Sequence, residues 1–171
     1  MKEVSYKDLS FNPMTLIGDE WLLLTAGNEQ NGFNTMTVSW AHMGSIWGHN
    51  GTSASCVIYV RDSRYTKQFV DREDLFTLTA FPASFKKDLT YLGSHSGRDE
   101  DKLAKTSLTP LFTDGSVIFK EAKLAIVCKK LYAMPLREEC FIDRDTLESC
   151  YPLRDFHTMY VGQIVKTYIG E

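Results

Sequence analysis

WLLLTAGNEQNGFNTMTVSW, residues 21 to 40, reads as two strands joined by a tight turn. WLLLTA (21–26) and NTMTVSW (34–40) are rich in β-favouring residues, and the second alternates Thr35, Thr37 and Ser39 with Met36, Val38 and Trp40. Between them GNEQNGF carries Asn31–Gly32, a pair that tolerates positive φ, so the two strands are expected to pair antiparallel. Strand signals recur in SASCVIYV (53–60), LFTLTAF (75–81), the run 117–134 and HTMYVGQIVKTYI (157–169). Helices are expected only from near Ser63 through YTKQFVDRED, from Ser84 through FKKDLTYL, and in a short piece after Gly97. Six or more strands with a few short helices predict a mostly β chain folded as a closed or nearly closed antiparallel barrel, because closure removes exposed strand edges. The stretch 38–54 reads as the longest irregular segment, and long loops in compact domains are usually functional.

A chain of 171 residues, 43% hydrophobic, has the size of one ordinary domain, with no linker-like tract to divide residues 1–171. Its 19 basic and 22 acidic residues give a net charge of −3, which excludes bulk attraction to nucleic acid or an anionic membrane. The N-terminal stretch lacks the apolar run of a signal peptide and no segment is long enough to span a bilayer, so a cytoplasmic protein is expected. Cys56, Cys128, Cys140 and Cys150 are dispersed and read as reduced thiols; the sharper alternative is a redox pair of Cys140 and Cys150. His42, His49, His95 and His157 fall in no metal-ligand spacing.

Three segments carry candidate chemistry. In RDSRYTKQF (61–69) a strand ending at Arg61 meets a helix opening at Ser63 or Thr66, an arrangement that suits a phosphate or carboxylate. Surface arginines paired with Asp62 and Asp71 are the plainer reading. Asn34 at the mouth of NTMTVSW, with Trp40 and Trp47 beyond it, could receive a flat aromatic ligand, although the alternation is also that of a half-buried strand. GSHSGRDEDK (93–102) places two glycines, hydroxyls and the cations Arg98 and Lys102 in ten positions. Both cations could instead pair with Asp99 and Asp101.

Taken in order, NTMTVSW, VIYVRDSRYT, GSHSGRDEDK and DFHTMYVGQI resemble the flavin reductase-like family of FMN-binding split barrels, flavoredoxin type, from about Asn12 to Ile169. The resemblance implies a six-stranded antiparallel Greek-key split barrel, a homodimer, and noncovalent FMN near the subunit interface. By the same resemblance Asn34, Thr35, Met36, Thr37 and Trp40 would line the isoalloxazine. Arg61, Ser63, Arg64, Tyr65 and Thr66 would hold the phosphate, Ser96, Gly97, Arg98 and Lys102 would form the flavin-adjacent loop, and His157 would stand on the nicotinamide or substrate side. The implied activity is hydride transfer from NADH or NADPH, a transient visitor, with electrons passed on to a small-molecule or protein acceptor. The chain departs from the family at Ala41 and in HMGSIWGHNGTSA (42–54), a segment expected to cover the flavin rim. No GxGxxG fingerprint marks a separate dinucleotide domain. Two other classes fit the same residues: an electron carrier reduced by a partner protein, and a non-redox barrel that binds another phosphate-bearing ligand.

Overall fold

The structure, a computed structural model, describes residues 1–49 and 52–170. The strands are β1 (Lys2–Val4), β2 (Leu22–Asn28), β3 (Gly32–Val38), β4 (Ala41–His49), β5 (Thr52–Arg61), β6 (Leu75–Ala80), β7 (Pro110–Thr113), β8 (Ser116–Phe119), β9 (Leu124–Pro135) and β10 (His157–Ile169). The helices are α1 (Pro13–Thr15), α2 (Thr66–Arg72), α3 (Lys86–Ser94) and α4 (Arg144–Cys150). The main sheet is antiparallel in the order β3-β2-β6-β9-β10-β5-β4, with β1 added to β10; β7 and β8 form a separate hairpin. Among the described residues β3 and β4 are not hydrogen-bonded to each other, so the barrel is split along that seam.

The predicted first hairpin forms, with Leu22 opposite Val38 and Asn28 opposite Gly32. Its turn is held by Asn28 Oδ1, which accepts from the backbone N–H groups of Gln30 and Asn31, and Gly32 takes φ +73°. The unbroken LLL of β2 reflects burial on both faces: Leu22 and Leu24 enter the barrel core with Ile58, Val60, Phe76 and Ile126. Leu23 faces the other way, into a second core with Leu89 and Leu92 of α3 and Phe119.

The mostly β antiparallel class holds, but the main sheet has eight strands where six were expected. The supposed irregular stretch from 38 to 54 is instead the β4–β5 hairpin, in register from Ala41 opposite Ile58 to Ser45 opposite Ala54. Polar and glycine content hid it because β4 is an edge strand whose outer residues face solvent. Residues 50 and 51, within that segment, lie outside the described residues. The run 117–134 divides at the turn Lys120–Lys123 into β8 and β9. The helix expected from Ser63 starts at Thr66, and that expected from Ser84 is a 3-10 turn (Ala83–Phe85) leading into α3. After Gly97 only a 3-10 turn, Leu103–Lys105, forms. Helix α4 was not foreseen, although Asp143 caps it by accepting from the N–H groups of Asp145 and Thr146.

β9 and β10 are the longest strands, and their register shifts between Val161 and Gly162 and again between Ile164 and Lys166. These bulges bend the ribbon. Gly162 sits where a Cβ would stand 2.6 Å from the Phe76 ring and 2.9 Å from Cys128 Cβ. Gly162→Ala is therefore expected to destabilise the fold by about 1–3 kcal/mol through overpacking, read as a lowered midpoint in urea denaturation.

Candidate functional site

The turn after β5 is closed by Arg64 N–H donating to Arg61 O at 3.0 Å, which delivers Ser63, Arg64 and Tyr65 to the start of α2. Asn34 of β3 is buried and its Nδ2 donates to Thr66 Oγ1 at 2.8 Å, fixing α2 against the strand edge. On the other flank of β3, Thr37 Oγ1 donates to Leu89 O of α3. The loop after α3 then comes back to the same place. Gly97 lies so close to β3 that a Cβ there would be 2.3 Å from Asn34 Oδ1 and 3.3 Å from the Tyr65 ring.

Two adjoining cavities result, of about 260 and about 170 Å³, and they share Met36 and Arg64. The smaller is lined by Asn34, Ser63, Tyr65, Thr66, Ser96, Gly97, Arg98 and Lys102 together with Ser94 and His95. The larger is lined by Thr37, Ser39, Trp40, Tyr59, Arg61 and His157. Each alone is smaller than a typical site for a cofactor-sized ligand, but joined at Met36 and Arg64 they make one groove of suitable size. Among the described residues lining these two cavities there is no Asp or Glu, but a third cavity of about 690 Å³, which shares Asn34, Tyr65, Gly97, Arg98 and Lys102 with the smaller one, is lined also by Asp99, Glu100 and Asp101. In a chain of net charge −3, Arg61, Arg64 and Arg98 make the groove a local field favourable to an anion.

The cations of the groove are in different states. Arg64 is exposed, and its guanidinium has no hydrogen bond or ion pair among the described residues, so its donors face the groove free. Arg98 is exposed as well; one Nη donates to Ser63 O at 3.2 Å and the guanidinium lies 5.3 Å from the Tyr65 ring centroid. Arg61 is bound internally, donating to Asp155 O at 2.7 Å and Cys150 O at 3.0 Å. Ser63 Oγ likewise donates to Asp155 Oδ2, at 2.7 Å. Lys102 is buried and its Nζ donates to Leu92 O at 2.7 Å and His95 O at 2.9 Å, closing the C-terminal end of α3. Burial, with Arg64 nearby, pulls its ammonium down to about 8. Among the described residues neither Arg98 nor Lys102 forms an ion pair with Asp99 or Asp101.

His157 opens β10 opposite Arg61 and is buried. Desolvation first, and then the Arg61 charge, lower its pKa to about 4, so it enters the groove as a neutral ring at neutral pH. Trp40 stands beside it, ring centroids 5.0 Å apart.

Of the residues predicted for the site, Thr35 alone is not brought to this groove. Its Oγ1 is 3.0 Å from Leu24 O and 2.9 Å from Thr25 Oγ1. Thr37 has the same parity on β3 and yet lines the larger cavity, whereas Thr35 lines the third cavity beside Asn34, Tyr65 and Gly97. Tyr59, Ser94 and His95 were missed. Tyr59 lies two positions before Arg61 on the same strand, and that spacing was the available signal.

The sequence matches no protein-family model and no curated protein. Solved structures, however, share the fold. Flavoredoxin of Desulfovibrio vulgaris (Miyazaki F) superposes with TM-score 0.66 at 19% identity, covering 100% of this chain and 78% of its own. Flavoredoxin from Methanosarcina acetivorans gives TM-score 0.64 at 18% identity, covering 96% and 76%. An FMN-binding protein from Thermus thermophilus, solved with bound p-hydroxybenzaldehyde, gives 0.64 at 19% identity, covering 98% and 82%. The fold is thus the one these three structures share.

Replacing Lys102 with Met leaves the Leu92 and His95 carbonyls without their donor. The expected result is a loss of about 1–3 kcal/mol in urea denaturation and faster proteolysis within residues 93–102.

Proposed function

We propose that this chain is an FMN-binding oxidoreductase, an NAD(P)H-dependent flavin reductase or flavoredoxin-like protein that passes electrons to an acceptor. The observation that carries this reading is the guanidinium of Arg64, unpaired among the described residues, at the centre of the groove. A phosphate monoester needs cations and hydroxyl or N–H donors, and the Arg64, Arg98 and Ser96 end supplies that set. A planar ring system needs a flat apolar wall with a few donors, and Met36, Thr37, Trp40, Arg61 and His157 supply it at the other end. The residues therefore fit FMN. The fold shared with an FMN-binding protein and two flavoredoxins supports the same reading.

The bound flavin would supply the redox chemistry, taking hydride from a nicotinamide and releasing one or two electrons. The chain's own groups do the rest. Asn34 and Thr66, bonded to each other, hold the phosphate end and the strand edge at a fixed spacing. Trp40 and the Arg61–His157 pair wall the ring end, where NADH or NADPH would approach.

A homodimer belongs to this reading. Ile46 and Trp47 of β4 and Leu131, Tyr132 and Met134 of β9 are exposed apolar side chains, and the Trp47 ring meets Tyr132 edge-on at 5.6 Å. Soluble monomers rarely leave such side chains clustered in water. Tyr132→Glu is expected to convert a dimer into a monomer in sedimentation equilibrium; a wild-type monomer would remove the dimer from the reading.

The direct test is the visible spectrum of the purified protein with added FMN, followed by anaerobic titration with NADH and NADPH. Retained flavin that one nucleotide bleaches rapidly is the expected result, with Arg64→Ala weakening FMN binding roughly 10- to 100-fold. Flavin bleached only by dithionite would select the electron carrier. Failure to retain FMN would overturn the reading.

A further inference from the structure

The sequence gives no hint of a role for Tyr151, and it does not line the groove, yet it makes a contact that the groove depends on. It lies just past α4, buried, with its hydroxyl 2.7 Å from His157 Nδ1. The phenol has no other hydrogen-bond partner among the described residues. A buried O–H that found no acceptor would be costly, and the ring nitrogen is the acceptor within reach. The phenol therefore donates, Nδ1 accepts, and the ring proton resides on Nε2.

We propose that Tyr151 is a positioning residue that fixes His157 as the neutral Nε2–H tautomer, giving the groove a hydrogen-bond donor for a carbonyl or carboxamide oxygen. The identity of that oxygen rests on the redox reading above; the tautomer does not. The neighbouring rings hold the pair in place: Trp40 lies 5.0 Å from the His157 ring, and Phe156 lies 5.0 Å from Tyr151. The Arg61 guanidinium covers the Tyr151 ring at 5.1 Å while its donors are taken by Asp155 O and Cys150 O. The whole segment from 150 to 155 is thereby tied to the end of β5.

The charged and titratable groups around His157 act in opposite directions. Arg61 of β5 and Arg64 of the turn oppose an imidazolium, whereas Asp62 and Asp155 favour one. Tyr59 of β5 and Cys150 at the end of α4 are the remaining titratable neighbours of the pair. Burial decides in favour of the neutral ring, and burial also raises the Tyr151 phenol. The donor thus keeps one state throughout neutral pH, and an acceptor oxygen is bound without adding a third positive charge beside two arginines.

The test is long-range proton–nitrogen NMR of the histidine rings, with His157 assigned through His157→Gln, from pH 5.5 to 8.5. The wild type should show Nε2–H throughout with no titration. In Tyr151→Phe, mixed tautomers are expected, with the ring still neutral because its burial is unchanged. A wild-type ring carrying its proton on Nδ1, or a pure Nε2–H tautomer in Tyr151→Phe, would overturn the proposal. The wild-type measurement needs no variant to fold. FMN retention, measured on the same samples, judges the redox reading separately: retained flavin with the wrong tautomer sinks only the positioning role, and the right tautomer without flavin sinks only the function.

Discussion

A ribbon as long as the β9–β10 pair can wrap a barrel only if it bends, and the bend is set where Gly162 meets Phe76 and Cys128. No side chain fits at that point. Because the ribbon turns there, β5 on one side and β6 with β2 and β3 on the other are carried round the same core. Among the described residues the seam between β3 and β4 stays unbonded, and the groove is built from β3, the end of β5 and the start of β10, with the loops after β5 and α3. Core and groove are thus consequences of one packing constraint in the middle of the sheet.

From that frame the groove is assembled by short polar contacts between segments distant in sequence. Asn34 with Thr66 and Arg61 with the segment after α4 each join two such segments, while Lys102 ties its own loop back to the nearby end of α3. Each leaves few buried donors unpaired, as a low-dielectric setting demands. The same contacts decide which cations are free to meet a ligand.

The sequence made the first hairpin legible because Asn31–Gly32 and the alternation of NTMTVSW are local signals, and the three ligand segments were legible as clusters of cations, hydroxyls and glycines. It could not show that Lys102 faces inward or that Arg61 is occupied, since both depend on carbonyls of the 92–95 and 150–155 segments. Thr35 is held at Leu24 O and Thr25 Oγ1 of β2, a pairing across the hairpin that the segment's own sequence does not display. The β4–β5 hairpin was read as a loop because glycines and polar side chains on an edge strand look the same as a loop when its partner is unknown. Tyr151 gave no signal at all, because its meaning lies in a ring six positions on that only the fold brings within reach.

The division among the cations has a consequence for ionic strength. Arg61 and Lys102 are enclosed by carbonyl oxygens, while Arg64 and Arg98 stand in water at the groove. Dissolved ions screen exposed charges within about 10 Å at 0.1 M but reach enclosed ones poorly. Added salt would therefore weaken the hold on an anion while leaving the walls of the groove where they are, separating the attraction of this site from its shape.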